Sequence, residues 1–252
     1  MIEKRAGRNS TLTSLPDKLN TNAAEILRTA QTLFEAGDVA EIRSLDGRKT
    51  MSGYFNDFGA LARQAARLDA GGSQVYVTLN PVLPALLSRC GNRTESCPKA
   101  TTKDDEIVRR RWLPIDLDPV RPSGISSTDD EKSAAFERAQ EIKGFLAAKG
   151  WPEPLEADSG NGAHLLYRVD LPNDMESRDL VSGVLNSLDS MFSDSTVDVD
   201  TSVSNAARIW KLYGTTARKG DDSEDRPHRR SMILRVPGPL EALELRRIEP
   251  CR

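Results

Sequence analysis

The chain is predicted to fold as α+β in two layers, an N-terminal α/β layer packed on a C-terminal split βαβ unit of order β-α-β-β-α-β. Three observations predict it. The run Trp112-Leu113-Pro114-Ile115-Asp116-Leu117-Asp118 is apolar and ends in two carboxylates spaced i, i+2, the pattern of a buried strand reaching an open end. Two stretches of helical periodicity follow it, one opened by the capping box Thr128-Asp129-Asp130-Glu131, the other running to Phe192. Between them, two strand-like runs flank Asn161-Gly162, a favoured hairpin turn.

The elements read in order as follows. Residues 1–20 are polar and are expected to form a flexible N-terminus. Residues 21–110 are assigned to the first layer. Asn22 to Ala36 reads as a helix with Ile26, Ala30, Leu33 and Phe34 on one face and Gly37 as its stop. Val39 to Phe55 alternates around Asp46-Gly47 as a hairpin, Asp57 to Leu68 is helical, and Val75 to Leu79 is a strand ending at Asn80-Pro81. Residues 111–252 are assigned to the second, RNA-recognition-motif-like layer. Its strands are Trp112–Leu117, Leu155–Ser159, Ala163–Val169 and Val197–Asp200, with a further strand-like stretch at Ile209–Tyr213. Its helices run from Thr128 to Lys149, stopped by Gly150, and from a cap at Asn173 along the apolar face Leu180, Val181, Val184, Leu185, Leu188 and Phe192.

Composition narrows the function. The 252 residues, 38% hydrophobic, suffice for a real core. No run of about 20 apolar residues is present, so no membrane span is expected. Met1-Ile2-Glu3-Lys4-Arg5 lacks the apolar stretch of a signal peptide, and the protein is read as cytoplasmic. A net charge of -3 argues against a broadly basic nucleic-acid coat but leaves room for a local groove. Basic residues do cluster late, at Arg208, Lys211, Arg218, Lys219, Arg226, Arg229, Arg230 and Arg235. The acidic block Asp221, Asp222, Glu224 and Asp225 between them reads equally well as a solvated loop. The three cysteines are odd in number, and Cys90 and Cys97 are spaced more widely than the cysteines of a zinc knuckle; no zinc is expected. The chain has no Gly-x-x-x-x-Gly-Lys-Ser/Thr motif, so no ATP-driven motor is encoded here.

Asp116 and Asp118 carry the chemistry. Two like charges roughly 4 Å apart repel by about 4 kcal/mol at an effective dielectric of ~20. Such a pair either keeps one proton or holds a cation, and hard oxygen donors suit Mg²⁺ or Mn²⁺, ions that act on phosphates. The plainer alternative is a pair that ends a strand and caps the next turn. His164 closes Asp158-Ser159-Gly160-Asn161-Gly162-Ala163-His164, where glycines let backbone N–H groups approach an anion and the imidazole can meet a phosphate oxygen. The alternative is a hairpin followed by a half-buried, hydrogen-bonded histidine. Asp200 follows Val199, with Arg208 eight residues on and Lys211 three beyond; Lys219, His228 and Arg229 extend the basic series. Three acids and a fan of cations are the equipment for a nucleoside triphosphate: metals activate a 3′-hydroxyl, and cations neutralise the departing pyrophosphate.

In these motifs the chain resembles the catalytic core of the archaeo-eukaryotic primase superfamily, of the primase-polymerase type found in microbial mobile elements and phages. That family has an hhhDhD/E motif, a second motif ending in a small hydroxyl residue, any residue and His, and a third acid after a hydrophobic residue. Asp116 with Asp118, His164, and Asp200 after Val199 match in order. The resemblance spans about Phe34 to Leu234, with its sharp motifs between 112 and 229. It implies a DNA primase and polymerase working on a single-stranded DNA template or primer-template with nucleoside triphosphates. It implies two Mg²⁺ or Mn²⁺ ions on Asp116, Asp118 and Asp200, and triphosphate contacts from His164, Arg208 and Lys211. Lys219, His228 and Arg229 are further candidates for the triphosphate or for template phosphates. The sequence departs from the pattern at Gly162, which stands where the hydroxyl residue belongs. Either Ser159 reaches the phosphate, or backbone N–H groups replace the hydroxyl. Asp198 rivals Asp200, since i, i+2 puts both on one face; the spacing to Arg208 favours Asp200. A ribose-discriminating side chain is sought at Tyr213 or Tyr167.

Two other functions compete. One is a metal-dependent nuclease or a rolling-circle nickase; a nickase on this fold needs a His-x-His site and a tyrosine nucleophile, and the only two histidines, His164 and His228, are far apart. A non-catalytic single-strand binder stacks bases on aromatics, which are only 5% here, and the carboxylates would repel a DNA backbone. The ending at Glu249-Pro250-Cys251-Arg252, without a closing element, is read as a domain of a longer protein carrying a helicase or other partner module.

Overall fold

Two five-stranded antiparallel sheets, each covered by helices, position the acids and the cations. The computed structural model describes residues 15–47 and 49–244. The first sheet is built from α1 (Leu15–Leu33), β1 (Ala40–Asp46), β2 (Lys49–Phe55), α2 (Phe58–Ala70), β3 (Gln74–Thr78), α3 (Leu87–Cys90) and β4 (Glu95–Ser96). The predicted hairpin forms in register, Asp46 opposite Lys49 and Ala40 opposite Phe55. Asp57 caps α2 by accepting from the Ala60 N–H at 2.9 Å.

The second sheet follows as β5 (Arg109–Pro119), α4 (Asp129–Ala148), β6 (Leu155–Asp158), β7 (Ala163–Pro172), α5 (Met175–Phe192) and β8 (Val197–Val199). This is the predicted β-α-β-β-α-β order, and the α+β fold is as read. The spatial order is β6-β7-β5-β8, which puts the two strands nearest the acids, β5 and β8, side by side. Thr128 and Glu131 close the capping box at the start of α4. Ile115 and Leu117 point into the core with no exposure, so the alternation along β5 turns Asp116 and Asp118 to the opposite, open face.

The chain then leaves this sheet. β9 (Ile209–Lys211) crosses to pair with β3, completing the first sheet in the order β4-β2-β1-β3-β9. β10 (Thr216–Ala217) and β11 (Arg229–Arg230) form a small ribbon, and β12 (Met232–Arg235) returns to the outer edge beside β6. One continuous core therefore joins both layers. Trp112 of β5 donates its indole N–H to the Leu33 carbonyl at the end of α1 (3.1 Å). The boundary drawn after residue 110 is crossed by β9.

Other expectations are corrected in detail. α1 begins at Leu15, inside the stretch read as flexible, and ends at Leu33; residues 1–14 lie outside the described residues, as does the ending at Glu249–Arg252. Asp174, not Asn173, caps α5, accepting from the Ser177 N–H at 2.8 Å. Asn173 instead donates to the carbonyls of Asp104 and Ile107. The hairpin between β6 and β7 turns on Gly160 and Asn161, one residue earlier than read. Ser159 N–H donates to the Gly162 carbonyl (3.1 Å), and Gly160 takes the positive φ of +96° that the first loop position demands.

Gly162 has a different reason to be glycine. A Cβ there would lie 2.2 Å from the Leu117 carbonyl oxygen, so β7 can approach β5 this closely only without a side chain. Gly162→Ala is expected to lower stability by about 2–3 kcal/mol in urea unfolding, a packing effect. An unchanged midpoint would show that the close approach is not needed.

Candidate active site

Asp116, Asp118 and Asp200 line one cleft together with His164, Ser159, Asn161, Arg208, Lys211, Lys219, Gln74, Tyr76 and Trp210. The acids come from the second sheet. Asp116 and Asp118 share the open face of β5. Asp200 follows β8, and its N–H donates to the Asp116 carbonyl at 2.9 Å, which ties the third acid to the first. The Asp200 carboxylate accepts from the Ser202 N–H (2.8 Å) and so starts the following helical turn. Asp198 stands directly opposite Asp118 across the strands. It is turned to a second, shallower cavity beside the first, lined also by Asp118, Arg121, Ile125 and Lys219. Asp118 and Lys219 border both.

His164 is the direct cross-strand neighbour of Asp116. Its Nε2 lies 3.2 Å from Asp116 Oδ1, and its Nδ1 lies 2.9 Å from the Tyr213 hydroxyl. The ring packs on Trp210 with centroids 4.1 Å apart. Both ring nitrogens are thus engaged, and the histidine is 4% exposed.

The cations come from the segment that crosses to the first sheet. Arg208 holds the turn after Asp200 through the Ser202 carbonyl and hydroxyl, and its Nε is buried without a partner. Lys211 is buried, donates to the Thr216 carbonyl at 2.8 Å, and lies over the Tyr76 ring. Burial pulls its pKa down from 10.5 to about 7; Asp69 opposes that shift and Arg218 adds to it. Lys219 lines both cavities.

Other expected residues are placed differently. The Ser159 hydroxyl accepts from the Gly162 N–H (2.8 Å) and donates to its carbonyl (3.1 Å), so hydroxyl and backbone hold one another across the turn. Gly162 itself does not line the cleft. Neither do His228 and Arg229. His228 Nε2 pairs with the Gly220 carbonyl, and Arg229 binds the Ser127 carbonyl and Asp129 at the start of α4. Tyr213 and Tyr167 are fully buried, Tyr167 against Trp151, and cannot face a sugar. Tyr76 and Gln74 line the cleft instead. Neither carried a motif, and only the pairing of β3 with β9 brings them there.

The donor set is oxygen-rich and suits a hard divalent cation. Among the described residues no three His, Cys, Asp or Glu side chains converge into a ready cage. Mg²⁺ rarely uses one; it binds through one or two carboxylates and completes its shell with water and substrate phosphates, and Asp116 with Asp118 fits that mode. Cys90 and Cys97 are both free thiols; the Cys90 thiol contacts the Arg93 carbonyl, and burial pushes its pKa up. Among the described residues no helix is long and apolar enough to cross a membrane.

No family model and no curated protein matches the chain. Two solved structures resemble it. One is the crystal structure of primase RepB′, at 12% identity and TM-score 0.50, covering 90% of this chain. This chain spans 60% of the length of that one. The other is the catalytic domain of primase RepB′ in complex with initiator DNA, at 13% identity and TM-score 0.49, covering 92% of both chains. The first likeness shows that the chain has a primase-like α+β fold.

The Lys211 geometry makes a pH-dependent prediction. Below about pH 7 the ammonium is charged in both states and the folded protein bears the full burial cost; above 10.5 neither state is charged. Between these values the unfolded chain binds the extra proton, so stability rises with pH. Urea unfolding from pH 7 to 10 should show the wild type gaining stability relative to Lys211→Met. Parallel curves would refute the shift.

Proposed function

We propose that this chain is the catalytic core of a DNA primase-polymerase that joins nucleotides on a single-stranded DNA template. The observation that carries the reading is the cleft's lining: three acids supplied by β5 and the turn after β8, and Arg208, Lys211 and Lys219 supplied by β9 and the chain on either side of it. Asp116, Asp118 and Asp200 would hold two Mg²⁺ or Mn²⁺ ions, which supply the charge that activates a 3′-hydroxyl and steadies the pyrophosphate.

The protein's own groups do the rest. Lys211 exchanges the Thr216 carbonyl for a phosphate oxygen; the anion restores the proton that burial disfavours. Arg208 and Lys219 offer further cations to the triphosphate. His164 stays on Asp116 at 3.2 Å and steadies that carboxylate, in place of the direct triphosphate contact the resemblance implies. Tyr76 presents a ring to the sugar or base, in place of the buried Tyr213 and Tyr167. The second cavity shares Asp118 with the first, and we assign the growing 3′ end to it, because the attacking hydroxyl and the triphosphate must meet across one carboxylate. His228 and Arg229 receive no part in substrate binding.

Synthesis on unprimed single-stranded DNA with Mn²⁺ or Mg²⁺ tests the reading, with Asp116→Ala/Asp118→Ala as control. The wild type alone should form product. Extension of a supplied primer without unprimed synthesis would make the protein a polymerase only. Activity retained by the double variant would refute the site, and silence in both assays would favour the single-strand binder. Tyr76→Leu should raise the nucleotide KM roughly tenfold, as expected for a lost stacking surface.

A further inference from the structure

Four side chains from both sheets form one line of hydrogen bonds that ends on the first acid. Trp210 Nε1 lies 2.7 Å from the Tyr213 hydroxyl, the hydroxyl 2.9 Å from His164 Nδ1, and His164 Nε2 3.2 Å from Asp116 Oδ1. Trp210, Tyr213 and His164 are 2%, 0% and 4% exposed.

The direction of the line follows from its two ends. An indole N–H can only donate, so the Tyr213 oxygen accepts from Trp210. An ionised carboxylate can only accept, so His164 Nε2 carries the proton that faces Asp116. In a neutral imidazole Nδ1 is then the acceptor, and the Tyr213 hydroxyl proton fills it. Every donor is used once. The opposite tautomer would set a lone pair against the carboxylate. It would also make Tyr213 accept two N–H groups, with no acceptor for its own proton among its contacts.

We infer that Tyr213 is a positioning residue: it fixes His164 in the tautomer protonated on Nε2 and thereby aims the Asp116 carboxylate. Trp210 packs against one face of the ring, which hinders its rotation. Tyr213 and Trp210 belong to the segment that pairs with the first sheet, while Asp116 and His164 belong to the second. The line therefore transmits the docking of one layer to the acid of the other. Only its kinetic consequence rests on the primase-polymerase reading; the tautomer is a property of the protein without substrate.

Nitrogen-15 NMR of histidine-labelled protein in alkaline buffer reads the tautomer directly. Only two histidines contribute, and His228→Gln identifies the second signal. His164 should show the pattern of the Nε2-protonated form in the wild type. Tyr213→Phe should mix the two forms, whereas Trp210→Phe, which leaves the tyrosine hydroxyl in place, should retain the first. A wild-type His164 protonated on Nδ1, or a tautomer unmoved by Tyr213→Phe, would overturn the inference. In synthesis assays Tyr213→Phe should lower kcat by roughly 10- to 100-fold with KM little changed; a raised KM with unchanged kcat would also overturn it. An inactive wild type that keeps the Nε2-protonated signature would sink the functional reading and leave the positioning role standing.

Discussion

The antiparallel pairing of β9 with β3 is the contact on which the cleft depends. Tyr76, Val77 and Thr78 register against Lys211, Trp210 and Ile209. That pairing lays Lys211 over the Tyr76 ring and packs Trp210 on His164. It also brings the chain beyond β9 onto Asp69 of α2, which accepts from the Thr216 N–H and pairs with Arg218. Asp69 is nearly fully buried, so removing its carboxylate would cost Arg218 its ion pair, leaving it the Ser73 and Asp69 carbonyls, and would free the Thr216 N–H. Without the crossing, the second sheet would keep its acids but have nothing facing them.

The acids need that facing wall for electrostatic reasons. Asp116, Asp118, Asp198 and Asp200 crowd the adjoining ends of β5 and β8, and like charges placed directly opposite in a sheet repel. The structure distributes the strain among different partners. His164 meets Asp116, Arg121 meets Asp118 at 3.3 Å, and the Ser202 N–H meets Asp200. Each of these contacts is a single hydrogen bond, two of them longer than 3 Å, so each acid keeps further acceptor capacity. A cluster without such partners would be pushed apart by its own charge.

Much of the second layer was legible because its signals are local. The i, i+2 acids, the Thr128–Glu131 capping box and the glycine-rich hairpin each announce themselves within a few residues. Errors arose where neighbours offered the same chemistry: Asn173 and Asp174 can both cap, and one residue separates Gly160-Asn161 from Asn161-Gly162. The basic series misled for a different reason. Arg229 reads as a phosphate candidate in sequence, yet it finds Asp129 far along the chain, as Arg218 and Arg226 of the same basic series find Asp69 and Glu131. Long-range pairing has no local signature, and so neither β9's place nor the parts of Tyr76 and Tyr213 could be read.

Lys211 shows why the same crossing matters for binding as well as for folding. An exposed lysine would be charged before a triphosphate arrived and would give up its hydration on binding. Here the ammonium is already buried over the Tyr76 ring and against the Thr216 carbonyl, and burial brings its pKa down to about 7. The folded protein carries that cost continuously. If the cleft takes a triphosphate as proposed, the anion would offset that cost by restoring the charge where the attraction is stronger than in water. On the proposed reading, Lys211 would favour a highly charged ligand over a neutral one of the same shape.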